Sequence, residues 1–395
     1  MATNYDKLLE RMRTEAGMDY RWSAMFVKKL RDDEAAFPVP DEDKKRWALE
    51  RGFYPGRIEL YGLTEDNYMQ YMPDFQYFML HPLNNHFLKW LDKTTLKYVM
   101  NSGGVEDTMP KYYAYVENEL CRGRYTYLMD CPRDIPRDKD FLWNLLKRQG
   151  VLALKPNSGT SGGFGFMKLE LRGDELYENN KRIGMDRFEE IRDTIRNYII
   201  TEYCYQNHEL AKIWPDSECT LRVTMCKDYT EDKFAETTWT CAISFARFGS
   251  VISGGASNLS SGGVGIGFDF KTGKYKDYGL RYRRFTPDGN WMLDRHPDTN
   301  AQWKGDGLPN WEFVRSKIEA VCQHVSSLDY MGMDVIITEE GMIICEINSH
   351  PAMDYAQVMC SPVLSIPKVR EFFEHKGLRK QDPSVFCRAY FDSQE

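Results

Sequence analysis

Leucines, methionines and charged residues fall at helical spacing over the first 35 positions, so the chain should open as amphipathic helix. Pro38 and Pro40 break that pattern, and 41–47 begins another helix. Between Gly56 and Asn85 the text turns aromatic and irregular, with Tyr61, Tyr68, Tyr71, Phe75, Tyr77 and Phe78 fitting neither period. Asp92 then stands as the N-cap of a helix over 93–100. Beyond it the pattern alternates. Strands are predicted at 112–116 and 125–129, a helix at 138–148, and a short buried strand at 151–154 that ends at Lys155-Pro156. A glycine-rich loop, a strand at 166–171, a hairpin through Asn179-Asn180, a helix at 186–196 and a strand at 198–203 follow. The later half predicts strands near 220–225, 238–245 and 266–270, a second glycine-rich stretch from Gly254 to Gly263, a helix over 311–328 and a hairpin over 333–348. Strands in this order predict an α+β fold rather than repeating βαβ units, with boundaries near residues 90 and 205.

Composition narrows the class. At 395 residues, 42% hydrophobic and 28% charged, the chain has the profile of two or three folded units and not of disorder. Its 52 basic and 59 acidic residues give a net charge of −7 with no long basic block, which disfavours a nucleic-acid surface. The start is charged, without the apolar core of a secretory signal, and no apolar run approaches the ~18 residues of a spanning helix, so a cytoplasmic protein is expected. Ten cysteines lie scattered with no CxxC pair, which indicates neither zinc nor a disulfide framework. They read as reduced packing residues, Cys345 in its apolar run above all.

Two constellations carry chemistry. In the hairpin, Glu339-Glu340-Gly341 joins two apolar runs, and a three-residue loop pairs Thr338 with Met342, Ile336 with Ile344, and Asp334 with Glu346. Period-2 alternation puts Asn348 on the face of Glu346. Two carboxylates facing each other across an apolar ladder repel unless a cation lies between them, and an oxygen-lined Mg²⁺ site is one answer. Edge carboxylates in water are the other. The second constellation is Lys155-Pro156 followed by a loop containing Gly159, Thr160, Ser161, Gly162 and Gly163. Glycines and small hydroxyls let backbone N–H groups approach a polyphosphate, and the lysine adds a positive charge. A mobile surface loop is the plainer reading. The same residues match G-x-S-x-G, which leaves a serine hydrolase using Ser161 as a remote alternative, although that motif needs a helix where this chain predicts a strand.

In this order the two constellations resemble the ATP-grasp superfamily, which clamps ATP between two α+β lobes. Asp92-Lys93 resembles its first ATP lysine, and Lys155 with the glycine loop its second lysine and phosphate lid. Glu202, Tyr203 and Cys204 resemble the hinge that reads adenine, Glu209 the ribose-binding acid, and Asp334, Glu346 and Asn348 the metal ligands. The runs at 219–223, 254–263, 268–273 and 330–334 are similar to the sugar-transfer-associated group, related to α-L-glutamate ligases. The resemblance covers about 55–362 and implies a central lobe over 91–205 and a catalytic lobe over 206–365, set between a mostly helical region over 1–90 and a helical tail over 366–395 that it does not explain. Many members carry an arginine two residues before the metal aspartate, where this chain has Gly332. Another cation must then hold the anionic intermediate, and Arg222 and Arg247 are the candidates, each with a structural salt bridge as its alternative.

The activity so implied is an ATP-dependent carboxylate–amine ligase working through an acyl phosphate, with substrates tied to cell-surface polysaccharide. ATP and Mg²⁺ are the implied cofactors, with two ions and with Mn²⁺ able to substitute. The partners are a small-molecule carboxylate and amine, sugar-linked in this group, and a homo-oligomer stays open. A kinase on the same fold would use the same residues. A silent binding protein is disfavoured by the presence of Lys155, Asp334 and Glu346. The stretch Gly254 to Gly263 is expected to cover the acyl phosphate, with Asn258 and the amides of Gly262 and Gly263 as donors, or else to be a disordered connector.

Overall fold

The computed structural model describes residues 3–84, 93–158, 165–303 and 305–394. Asp92 and the loop residues Gly159, Thr160, Ser161, Gly162 and Gly163 lie outside the described residues.

Two antiparallel sheets organise the rest. The first contains β1 (Tyr112–Val116), β2 (Tyr125–Tyr127), β3 (Val151–Pro156), β4 (Met167–Arg172), β5 (Glu175–Glu178), β6 (Lys181–Ile183) and β7 (Tyr198–Glu202), in the order β2-β1-β7-β3-β4-β5-β6. The second contains β8 (Thr220–Lys227), β9 (Trp239–Phe248), β10 (Val264–Phe268), β11 (Tyr275–Leu280), β12 (Met292–Leu293), β13 (Tyr330–Ile337) and β14 (Met342–Asn348), in the order β12-β11-β10-β9-β8-β13-β14. The hairpin through Asn179 and Asn180 forms as expected, both residues taking the left-handed conformation (φ 49° and 64°) that a two-residue turn requires.

Every residue of β13 is buried, which explains why its text is apolar on either side of Asp334. Met331, Met333 and Val335 share a core with Val314, Ile318 and Val321 of the helix Trp311–His324. On the other side Tyr330 stacks on Phe372 of the helix Pro367–His375. That first helix stops at His324, four residues short of the sequence expectation.

The irregular stretch between residues 56 and 85 holds two helices, Arg57–Tyr61 and Asp74–Met79, each too short to repeat a helical period. Their aromatic residues are core. Phe75 and Phe78 pack with Trp22 and Phe26 of the helix Tyr20–Ala36, and with Phe386 and Tyr390 of the helix Ser384–Phe391. The two ends of the chain, expected as separate regions, therefore share one apolar cluster, and Thr3 bridges Gln394 beside it. No helix among the described residues is long and apolar enough to cross a membrane.

Candidate active site

Both sheets contribute to a cleft of about 430 Å³. From the first come Lys155 on β3, Lys168 on β4 and Glu202 at the end of β7, followed by Tyr203 and Cys204. From the second come Arg247 on β9, Asp334 on β13 and Glu346 on β14. Lys93 enters from the first turn of the helix Lys93–Met100, whose start is held by Asn157, the Oδ1 atom accepting from the Thr94 N–H (3.1 Å). The Lys93 ammonium donates to the Pro156 carbonyl (3.2 Å) and stands 3.7 Å from Glu346 Oε2.

Asp334 lies directly opposite Glu346, as the sequence predicts. The rest of the predicted register does not hold. Val335 pairs with Ile344, Ile336 with Ile343 and Ile337 with Met342, so Cys345 is an extra residue on β14 and forms a bulge. The bulge restores the expected pairing at the carboxylates and puts Cys345 among the residues that line the cleft. All ten cysteines are free thiols.

Repulsion between Asp334 and Glu346 has an answer that the hairpin alone cannot show. Arg222 lies opposite Asp334 on β8, donating from Nε to Oδ1 (2.5 Å) and from Nη2 to Oδ2 (3.1 Å). Arg247, one strand further, brings Nη2 to 2.9 Å from Oδ2. Burial alone would raise the Asp334 carboxyl, but the two guanidinium groups outweigh it and hold the group well below the usual carboxylate range. Gly332 makes room for Pro351 beside this arrangement. A Cβ there would come within 2.8 Å of Pro351 and 3.5 Å of the Arg222 side chain. Arg222, on the strand next to β13, thus supplies a cation to Asp334 where the position two residues before Asp334 is Gly332.

Asn348 shares the Glu346 face, its Nδ2 donating to Glu346 Oε1 (3.1 Å). Asp334, Glu346 and Asn348 form an all-oxygen set, which suits Mg²⁺ in kind. Both Asp334 oxygens are occupied by guanidinium groups, so Glu346 and Asn348 are the more accessible donors. Among the described residues no cluster of three or more His, Cys, Asp or Glu side chains is placed to hold a metal ion.

The structure does not bring Glu209 to the cleft. Its carboxylate accepts from Lys212 Nζ (2.6 Å) and lies 2.8 Å from His208 Nε2 on an exposed turn. The stretch Gly254 to Gly263 is a tied loop and not a loose connector. Thr220 and Ser257 share a hydroxyl hydrogen bond (2.9 Å), Ser217 donates to the Gly255 carbonyl, and Arg247 Nη1 donates to Asn258 Oδ1 (3.4 Å). Asn258 lines the cleft, whereas the amides expected to act with it are committed inside the loop, Gly262 to the Leu259 carbonyl and Gly263 to that of Asn258.

Sequence reasoning missed Glu218, which lines the cleft and accepts from the Tyr203 hydroxyl. Burial raises its carboxyl against the opposing hydrogen bond. Lys168 lies 4.4 Å from the Tyr203 ring centroid. A glutamate directly before Cys219-Thr220 and a lysine on an alternating strand look like ordinary surface residues in the text.

The sugar-transfer associated ATP-grasp family matches residues 81–370. No curated protein matches the chain in sequence. Among solved structures, D-alanine–D-alanine ligase from Bacillus anthracis is 13% identical, with 74% of this chain and 69% of that one covered at a TM-score of 0.36. N5-carboxyaminoimidazole synthetase from Staphylococcus aureus complexed with ADP is 8% identical over 67% of this chain and 46% of its own, with a TM-score of 0.35. The ATP-grasp ligase PsnB complexed with a phosphomimetic precursor variant, Mg and ADP is 9% identical over 72% and 59%, with a TM-score of 0.34. With the family matched over most of its length and its two lobes lining one cleft, the chain belongs to the sugar-transfer associated ATP-grasp family.

Proposed function

We propose that the cleft binds ATP and joins a carboxylate to an amine through an acyl phosphate. The observation that carries this reading is the gathering of Lys93, Arg222 and Arg247 around Asp334 and Glu346, beside Lys155 and the hinge residues 202–204. In the first step a carboxylate oxygen bonds to the γ-phosphorus while the bond to the β,γ-bridging oxygen breaks, and ADP leaves with that electron pair. In the second the amine nitrogen bonds to the acyl carbon, and phosphate leaves and takes the proton. Lys93 and Lys155 neutralise phosphate charge, and Arg247 holds the acyl phosphate against the catalytic sheet. Bound Mg²⁺, taken up by Glu346 and Asn348 with Asp334 behind them, would supply Lewis-acid neutralisation of the phosphate oxygens. Positioning dominates such a reaction, because little proton transfer is required of the protein. The family's description favours a sugar-linked acid or amine.

Hydroxylamine trapping tests the reading. Incubated with MgATP, a panel of uronic and amino acids and hydroxylamine, the protein should release ADP and form a hydroxamate with at least one acid. ADP release accompanied by a stable phosphate ester, with no hydroxamate, would make it a kinase instead.

A further inference from the structure

The start of β8 and the loop 254–258 give the cleft a wall that is polar but uncharged, with Thr220, Ser257 and Asn258 half-buried on it and Arg247 beside them. Thr220 pairs with Arg247 across the ladder, which sets their Cβ atoms about 5 Å apart on one face. Arg247 donates from Nε to the Thr220 carbonyl (3.4 Å) and from Nη1 to Asn258 Oδ1 (3.4 Å), and its Nη2 lies 2.9 Å from Asp334 Oδ2. These contacts leave one N–H on each terminal nitrogen without a partner among the described residues, a pair that a carboxylate takes bidentately.

What stands next to that carboxylate is decided by its neighbours. The Thr220 and Ser257 hydroxyls share a hydrogen bond of 2.9 Å. Whichever oxygen donates, only one proton is spent in it, so the couple keeps a second O–H to give and lone pairs to receive. It therefore suits a hydroxyl, which both donates and accepts. An ammonium in the same place would need an acid, and the acids of the cleft are committed. Asp334 has both oxygens on guanidinium groups, Glu346 stands 3.7 Å from the Lys93 ammonium, and Glu218 accepts from the Tyr203 hydroxyl while burial raises its carboxyl. Glu202 accepts from the Lys111 N–H (2.9 Å), and Asp216 is exposed on the rim, its carbonyl accepting from Asn180 of the first sheet (3.5 Å). Arg222 and Arg247 would repel the ammonium instead.

We propose that the acid taken by this cleft is a 2-hydroxy carboxylate and not a 2-amino acid, its carboxylate held by the two remaining N–H groups of Arg247 and its 2-hydroxyl exchanging hydrogen bonds with the Thr220–Ser257 couple. The proposal rests on the ligase reading for the fate of that acid and on the hydroxyl couple beside Arg247 for its chemical class. The substituent on carbon 2 is attached to the atom that bears the carboxylate, so it shares the surroundings of the guanidinium, and the uncharged wall is what separates the two classes. A site that bonds a substrate hydroxyl on both sides also rejects the analogue lacking it, because the hydroxyl couple is then left facing an apolar carbon.

The test reads binding without turnover. With MgADP present, ligand-observed NMR titrations compare racemic lactate, propionate and alanine, which differ only in the group on carbon 2. Lactate should bind about tenfold more tightly than alanine and about threefold more tightly than propionate. Thr220→Val should bring lactate down to the propionate affinity, and Thr220→Ser, which keeps the hydroxyl, should retain the preference, with melting temperatures showing that both variants fold. Alanine bound as tightly as lactate, lactate bound no better than propionate, or a preference that survives Thr220→Val or is lost in Thr220→Ser overturns the proposal. So does saturable binding by none of the three. Hydroxamate formed from amino acids alone would remove the proposal and keep the ligase reading. A lactate preference that depends on Thr220, with no hydroxamate from any acid, would keep the hydroxy-acid site and remove the ligase reading, so the two fail separately.

Discussion

Two buried arginine–aspartate clusters sit in this molecule with opposite stoichiometry. In the helical region one arginine serves two carboxylates. Arg57 donates from Nη1 to Asp33 (3.1 Å) and from Nη2 and Nε to Asp74 (2.9 and 3.2 Å), and the Gly56 and Tyr54 amides complete the carboxylates. In the second sheet two arginines serve one carboxylate, Arg222 and Arg247 both on Asp334. The first cluster has an excess of carboxylate, two acids against one guanidinium. The second has a surplus of positive charge beside an open cleft, which is what an anionic substrate requires. Burying an ion pair is weak evidence of purpose in either place. The direction of the excess is what separates a brace from a site.

The largest expected effect tests that separation through stability. Arg57→Met leaves two buried carboxylates unpaired and should cost about 3–5 kcal/mol. Arg247→Met leaves Asp334 paired with Arg222 through both oxygens and should cost about 1 kcal/mol, while turnover collapses. Chemical denaturation measures both, and equal losses would erase the distinction. Glu346→Gln sharpens it in turnover. Asp334 is already neutralised by arginine, so removing the Glu346 charge relieves no repulsion and the variant should melt within about 0.5 kcal/mol of the parent. Turnover should nonetheless fall at least ~100-fold, and a variant as active as the parent would take the hairpin out of the mechanism.

The clusters should also respond to pH with opposite sign. Burial raises Asp33 to about 7 against the pull of Arg57, with Asp74 and Glu34 adding to the rise. Between about 4 and 7 the folded protein then holds a proton that the unfolded chain has released, so stability grows as pH falls through 7. Asp334 is shifted the other way, and its contribution is present above the ordinary aspartate value and lost as pH falls below about 4. Asp33→Asn should remove about 3 kcal/mol of the change between pH 8 and pH 5. Comparing variant with parent cancels His81, whose lowered value gives stability lost as pH falls from about 6.5 toward 4. A parent and variant with the same pH slope would contradict the burial of Asp33. MgATP at 100 times its dissociation constant should add about 2.7 kcal/mol to the parent, and less to Arg247→Met. A melting temperature that MgATP leaves unchanged would count against ATP as the ligand.

How much of this could be read from the text follows from how local each signal is. The pairing of Asp334 with Glu346 is set by two apolar runs and a three-residue loop, all within residues 333–348, and it survives even the bulge at Cys345. Lys93, Lys155 and residues 202–204 stand at strand and helix ends, where spacing along the chain fixes position. The arginine clamp joins residues 112 positions apart through strand order, which no local pattern states. Glu209 is the converse case, since the expectation used a count of residues along the chain and the turn Asn207 to Ala211 directs that side chain at Lys212. The ring contacts of Trp22 with His81 and His350 were invisible because these residues, distant in the chain, meet only in the folded protein.

The smallest expected effect concerns the loop that lies over the positive cluster. Its central residue, Asn258, accepts from Arg247 Nη1 at 3.4 Å, a long bond that leaves the amide free to turn toward a reacting group. The neighbouring amides cannot share that task, since Gly262 and Gly263 are already bonded within the loop. The fastening is elsewhere, in the Ser257–Thr220 bond and the Ser250 hydroxyl on the Gly262 carbonyl (2.8 Å), so Asn258→Ala should not loosen the loop. Turnover with the acceptor should fall about tenfold, or ~1.4 kcal/mol in the transition state, while the MgATP-induced thermal shift stays as in the parent. If the thermal shift falls and turnover does not, Asn258 belongs to nucleotide binding and the loop is part of the brace. If both stay unchanged, the contact with Arg247 only closes the edge of the cluster, and the surplus charge reaches the substrate without help from the loop.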